Sequence, residues 1–86
     1  MGSRSRNDVG PLSRAIAHIL GDAFALTGGH QETLGELAGI SQSQLSKYLR
    51  GERVMTVEEL EALCRALDLD LVEVVREGKR LVVEFR

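Results

Sequence analysis

The chain has 86 residues and a formal net charge of −2, which allows one small domain with a modest core. Hydrophobic residues make up 43% of the chain but aromatic residues only 3%, so aliphatic helix packing is expected and the predicted fold class is all-α. No apolar run approaches the roughly 18 residues of a membrane span, and the first ten residues lack the apolar region of a secretory signal. The single cysteine, Cys64, excludes an internal disulfide, and these features together predict a cytoplasmic protein.

The charges are unevenly distributed along the chain. Residues 56–77 carry seven acidic residues against two basic ones, whereas residues 41–53 carry three basic residues against one acidic one. A negative net charge disfavours nucleic-acid binding, because phosphate neutralisation by Lys and Arg supplies most of the non-specific affinity. The local excess of positive charge at residues 41–53 nevertheless predicts a compact basic surface.

In chain order, residues 1–10 are too polar to pack and are predicted to form a flexible N-terminal arm. Pro11 then indicates a helix start, because proline fits the first position of a helix. The apolar spacing that follows predicts a first helix from Pro11 to Leu26, which the glycines at positions 28 and 29 end.

Two short helices follow the first. The second is predicted at Gln31–Ala38 and the third at Gln42–Arg50. Gly39 supplies the positive φ that ends the second helix, and Ser41 is a good N-cap for the third. The connection between the two helices is therefore only three residues long.

The C-terminal part carries two further helix signals. A hydroxyl residue followed three positions later by Glu predicts a fourth helix at Val57–Leu67. Asp70 repeats this capping pattern and predicts a short fifth helix that stops before Gly78. The tail at residues 78–86 is rich in Val and alternates in part, which predicts a short C-terminal strand.

Two short helices joined by a three-residue glycine turn are the helix-turn-helix arrangement. Gly35 lies where such helices must approach closely, and five apolar residues are spaced to point inward: Leu34, Ala38, Ile40, Leu45 and Tyr48. On these residues the segment resembles the helix-turn-helix of the XRE/Cro family, and lambda-type phage repressors in particular, over residues 11–75. The resemblance implies a five-helix, lambda-repressor-like DNA-binding domain at residues 11–77. The family usually has alanine where this chain has Gly35.

The third helix has a polar side opposite Leu45, as an advance of about 100° per residue shows. Amide, hydroxyl and ammonium groups can hydrogen-bond to base edges. The predicted base contacts are Ser41, Gln42, Ser43, Ser46 and Lys47. Arg50 and Arg53 lie at and just past the end of the helix and are predicted to contact phosphates. The resemblance implies that Gln31 braces Gln42 and contacts a phosphate through its main-chain N–H.

The predicted function is a sequence-specific, double-stranded DNA-binding transcriptional regulator, namely a repressor of the phage-immunity kind with residues 42–50 in the major groove. A homodimer on a palindromic operator is expected, because one small domain buries little DNA surface. The dimer contact is assigned either to the tail strand or to the fifth helix through Leu71, Val74 and Val75. As a third alternative, the tail begins a further domain.

Two other functions stay open at the level of sequence. An antitoxin uses such a domain to repress its operon while binding a toxin, and a protein-interaction module keeps the fold without binding DNA. No catalytic residues, cofactor or membrane partner are predicted, so the chain is not expected to be an enzyme. His18 and His30 have no ligand-spaced neighbours, which argues against a metal site, and Cys64 is expected in the core.

Overall fold

The computed structural model describes residues 8–84. Residues 1–7, which form most of the predicted N-terminal arm, and residues 85–86 lie outside the described part of the chain. Five helices follow one another: α1 (Pro11–Thr27), α2 (Gln31–Ala38), α3 (Gln42–Leu49), α4 (Val57–Ala66) and α5 (Leu71–Glu84). The predicted all-α class is confirmed, and residues 8–84 contain no strand. None of the helices in this range is both long and apolar enough to cross a bilayer.

Most helix boundaries follow from their capping residues. Pro11 stands at the start of α1, and Gly28 ends that helix in the left-handed region with φ 68°. The Thr56 hydroxyl accepts a hydrogen bond from the Glu59 N–H at 3.0 Å, and the Glu59 carboxylate accepts one from the Thr56 N–H at 2.9 Å. This reciprocal pair is the predicted capping box of α4. The predicted ends of the first, third and fourth helices differ from the observed ends by one residue each.

All five helices contribute buried residues to one core. Leu20, Leu45 and Leu63 have no exposed surface, and Cys64 is 1% exposed. Burial of each leucine side chain contributes roughly 1.5–3 kcal/mol to the stability of the fold. Because the three leucines come from different helices, this contribution stabilises the packing of these helices together. Burial also raises the pKa of the Cys64 thiol, so this cysteine is an uncharged core residue as predicted.

The C-terminal segment differs from its prediction. α5 runs through Gly78 to Glu84, so the predicted helix stop and the predicted strand are both wrong for residues 78–84. The inward apolar residues of this segment recur at helical rather than strand spacing: Leu71, Val74, Val75, Leu81 and Val82. A helix buries this stripe against α1 and α4, whereas a strand would have left it with no partner within residues 8–84.

Gly78 is a packing residue and not a helix stop. α5 passes so close to α1 that a Cβ atom at Gly78 would lie 3.0 Å from Ile16 Cγ1 and 3.1 Å from Leu12 Cδ1. Glycine costs about 1 kcal/mol relative to alanine inside a helix, but here the missing side chain makes room for α1. The helix therefore continues past Gly78 because tertiary packing outweighs the local preference.

The position of α5 also revises the predicted dimer contact. Val74 is 4% exposed and belongs to the core, so it is not available to a second subunit. Leu71 and Val75 are half-buried. The exposed apolar side chains of α5 are instead Val72 and Val83, at 61% and 68%.

Candidate nucleic-acid interface

The crossing of α2 and α3 depends on Gly35. A Cβ atom at this position would lie 2.5 Å from the Ile40 carbonyl oxygen, which is a backbone atom and cannot rotate away. The Ile40 N–H also donates to the Gly35 carbonyl at 2.8 Å, and Gly39 between them has φ 73°. The close approach predicted from the sequence is confirmed, and it is closer than the alanine usual in the resembled family would allow.

Two core residues fix the rotation of α3 about its axis. Leu45 is fully buried and Tyr48 is 3% exposed. As a result the opposite side of the helix faces solvent: Gln42 and Ser43 are exposed, and Ser46 and Lys47 are half-buried. With the exposed Arg50 at the helix end, these five residues form what we call the α3 polar face.

Ser41 has the capping role that the sequence predicts. Its Oγ accepts a hydrogen bond from the Gln44 N–H at 3.2 Å, which starts α3 at Gln42. The side chain is exposed. Its hydroxyl proton remains a donor, so the cap and a base contact do not exclude each other.

A hydrogen bond that the sequence does not reveal holds α3 against α4. The Tyr48 hydroxyl lies 2.8 Å from both carboxylate oxygens of Glu59, the same carboxylate that caps α4 through Thr56. A buried tyrosine generally finds a partner for its hydroxyl. That general rule is the only sequence signal for this contact, and it does not identify Glu59.

The surroundings of this pair shift the pKa of both Tyr48 and Glu59. Burial, followed by the hydrogen bond and the charge of Glu59, raises the pKa of Tyr48. For Glu59, burial opposes ionisation, but the hydrogen bonds from Thr56 and Tyr48 outweigh it and lower the pKa of the carboxyl group. Glu59 is therefore a carboxylate at neutral pH, accepting hydrogen bonds from two elements.

Arg50, a predicted phosphate contact, is held at the end of α3 by two partners. Its Nε donates to Glu52 Oε2 at 2.8 Å and its Nη2 to Glu52 Oε1 at 3.2 Å. Its Nη1 donates to the Ser46 hydroxyl. The hydrogen bond from Arg50 keeps the pKa of the Glu52 carboxyl group low. The structure thus brings Ser46 and Arg50 together and adds Glu52, which the sequence-based prediction did not include.

The two other predicted backbone contacts are Gln31 and Arg53. Gln31 is the first residue of α2, whose N-cap His30 makes no side-chain hydrogen bond to the helix start. Arg53 is exposed in the loop after α3. No hydrogen bond joins Gln31 to Gln42 among the contacts of residues 8–84, so the predicted brace is not formed in the isolated chain.

The histidines do not assemble into a metal centre. His18 Nε2 lies 3.3 Å from the Asp22 carboxylate on the surface of α1, and His30 precedes α2. Over residues 8–84, no group of three or more His, Cys, Asp or Glu side chains is arranged to hold a metal ion.

Comparison with known proteins gives a family and several solved structures. The family model described as "Helix-turn-helix domain" matches residues 10–76. The clp gene regulator ClgR from Corynebacterium glutamicum superposes with a TM-score of 0.77 at 25% identity, covering 88% of this chain and 81% of that one. A second ClgR structure gives 0.71 at 28% identity, with 79% and 88% of the two chains covered.

A third similar structure is the restriction-modification controller protein C.AhdI from Aeromonas hydrophila. It has a TM-score of 0.66 at 28% identity and covers 73% of this chain and 94% of that chain. No curated protein gives a significant match to this chain. The matched family region contains α2, α3 and the whole α3 polar face.

Proposed function

Because the chain belongs to the helix-turn-helix domain family, we propose that it is a sequence-specific, double-stranded DNA-binding transcriptional regulator that inserts α3 into the major groove. The observation that carries this proposal is the orientation of α3. Its apolar side is fixed in the core by Leu45 and Tyr48, while its amide, hydroxyl and ammonium groups face outward.

The dimensions of α3 support this proposal. A helix of eight residues is about 12 Å long at about 1.5 Å per residue. The major groove of B-DNA is about 12 Å wide and accepts a single helix. The first turn of α3, which carries Gln42 and Ser43, is the part with the most exposed polar side chains and would enter the groove first.

The chemistry of the α3 polar face supports direct reading of bases. Glutamine can make a bidentate pair with adenine N6 and N7, and lysine can donate to guanine O6 or N7. Serine can hydrogen-bond to the edge of either base. We therefore assign base contacts to Gln42, Ser43 and Lys47, with Ser41 and Ser46 adding contacts that are compatible with their cap and arginine hydrogen bonds.

Phosphate contacts are assigned to the flanks of α3. Arg50 and Arg53 carry positive charge at the helix end, where the DNA backbone borders the groove. At the other flank, the start of α2 has no side-chain cap, so the Gln31 main-chain N–H can donate to a phosphate. These contacts position the domain without reading sequence.

We propose further that the regulator acts as a homodimeric repressor of the phage-immunity kind on a palindromic operator. The resemblance to lambda-type repressors supports the repressor role, and the two similar proteins are described as a gene regulator and a controller protein. The exposed Val72 and Val83 on α5 offer a contact surface for a second copy. Two copies would place two α3 helices about one turn of DNA apart.

Selection of bound duplexes from a random pool tests the proposal. We expect an enriched motif with two-fold symmetry, and binding that weakens steeply as salt concentration rises. Light scattering of the complex would then give two chains per duplex. Absence of binding to any duplex at low salt would overturn the proposal and leave the protein-interaction module as the better explanation of the fold.

A further inference from the structure

The backbone of Glu52 is held in place at the end of α3. Gly51 adopts φ 73°, its N–H donates to the Tyr48 carbonyl at 3.0 Å, and the Glu52 N–H donates to the Lys47 carbonyl at 2.9 Å. These main-chain bonds form the Schellman ending of a helix and do not involve the Glu52 side chain. The carboxylate is therefore presented beside the α3 polar face by the fold itself.

The carboxylate of Glu52 fits the guanidinium of Arg50 in the same way as a phosphate does. Two parallel hydrogen bonds, of 2.8 Å and 3.2 Å, join the two groups. Arginine binds carboxylates and phosphates through this same bidentate fork. The two ligands compete for the same donors, so Arg50 cannot hold Glu52 and take a phosphate with that edge at once.

The ion pair has little to contribute to folding. Both side chains are more than half exposed, at 56% for Arg50 and 53% for Glu52, and ion pairs in such positions contribute little to stability because water and salt screen them. The end of α3 is already closed by main-chain hydrogen bonds. A function in DNA binding explains the placement of an acid next to this arginine better than a function in stability does.

We propose that Glu52 limits DNA affinity by acting as an internal substitute for phosphate on Arg50. This inference rests on the proposed DNA-binding function. Every phosphate contact through the fork of Arg50 first requires displacement of Glu52, on any DNA sequence. The base contacts of the first turn of α3 do not involve Arg50 and are unaffected. Glu52 therefore lowers affinity for all sequences alike and makes stable binding depend on the contacts of Gln42 and its neighbours.

The test is the affinity of the full chain and its E52Q variant for two duplexes, one selected from a random pool and one of scrambled sequence. Glutamine keeps the size of the side chain and removes its charge. We expect E52Q to bind both duplexes about two- to fivefold more tightly, the range that loss of an exposed ion pair allows. The matched control is E61Q, which removes the same charge from an ion pair on α4, where Glu61 lies 3.1 Å from Arg65. We expect E61Q to bind as the unchanged protein does.

A double-mutant cycle separates competition for Arg50 from simple repulsion of DNA. In an R50A background, E52Q should give no gain, because the guanidinium that Glu52 occupies is gone. A gain of equal size in that background, or equal affinities of E52Q and the unchanged protein, would overturn the inference while leaving the proposed function in place. Failure of both proteins to bind any duplex at low salt would overturn the proposed function and this inference with it.

Discussion

The outer faces of α3 and α5 are both polar, but they are built differently. On α5 the arginines are neutralised by acids of the same helix: Arg76 lies 2.6 Å from Glu73, and Arg80 contacts Glu77 and Glu84. Such pairs, three and four positions apart, stabilise a solvated helix. α3 contains no acidic residue between Gln42 and Leu49. Apart from Arg50, the side chains of the α3 polar face have no carboxylate partner within residues 8–84, which is the arrangement expected of a surface that binds a polyanion.

The two helices also differ in the buried contacts that hold them in place. α3 is held by the fully buried Leu45 and by the contact of Tyr48 with Glu59. α5 is held by its close approach to α1 at Gly78. The polar face of α3 is therefore oriented by a few specific contacts, and changes to these contacts should disturb it more than any change to the outer face of α5.

The largest expected effect follows from removing the side chain beneath the α3 polar face. Leu45→Ala should lower the free energy of unfolding by about 3 kcal/mol, because it leaves a cavity in the core. Urea denaturation measures this value. The control is Lys79→Ala on the outer side of α5, for which a change within about 0.5 kcal/mol is expected. Similar losses for the two variants would show that α3 is not anchored as described.

The next effect concerns sequence recognition. Gln42→Ala should cost about 1–3 kcal/mol in binding to the selected duplex and relax preference at one base pair, because it removes a bidentate base contact. Titrations with duplexes substituted at single positions measure this. Lys79→Ala, on the exposed side of α5, should leave the profile unchanged. A uniform loss across all duplexes for Gln42→Ala would move this residue to the backbone-contacting class.

A smaller effect distinguishes the two paired arginines. Arg50→Ala should weaken binding to all duplexes by a similar factor and reduce the salt dependence by about one unit of log–log slope, as expected for one lost phosphate contact. Arg80→Ala removes an arginine that is also paired, but on α5, and should leave DNA binding unchanged. Equal changes in DNA affinity for the two variants would show that the outer faces of α3 and α5 do not differ in DNA binding.

The smallest effect is a pH dependence of the link that holds α3 against α4. The pKa of Glu59 is lowered in the folded chain, so its contribution to stability is present above the ordinary carboxyl value of about 4.3 and is lost as pH falls below it. Glu59→Gln should therefore reduce the loss of stability between neutral pH and pH 3. Urea denaturation at several pH values measures this, and an unchanged pH profile would contradict the assigned role.

The parts of the fold that depend on local chemistry could be predicted from the sequence. Gly39 and Ser41 determine the turn and the start of α3 through their own backbone and side-chain preferences, so the bounds of α2 and the first residue of α3 are as predicted. Gly78 shows the limit of this reasoning. Its preference for ending a helix is local, whereas the room it makes for Ile16 and Leu12 exists only in the packed molecule.

The same limit applies to the candidate site. Helical periodicity predicts which side of α3 is polar, because the burial of Leu45 follows from the apolar pattern. It does not predict that Arg50 and Ser46 contact each other, or that Glu52 joins them. These contacts depend on how the chain turns after Gly51, which spacing along one helix does not describe.

The most direct test of the central claim is to follow the backbone amide NMR signals of the full chain during titration with the selected duplex. If the α3 polar face reads DNA, the largest shifts will occur at residues 41–47 and at Arg50, with smaller ones at Gln31 and Arg53. Signals from the outer side of α5, including Arg76 and Lys79, should move far less. Largest shifts on α5 with none at residues 41–47 would contradict the account.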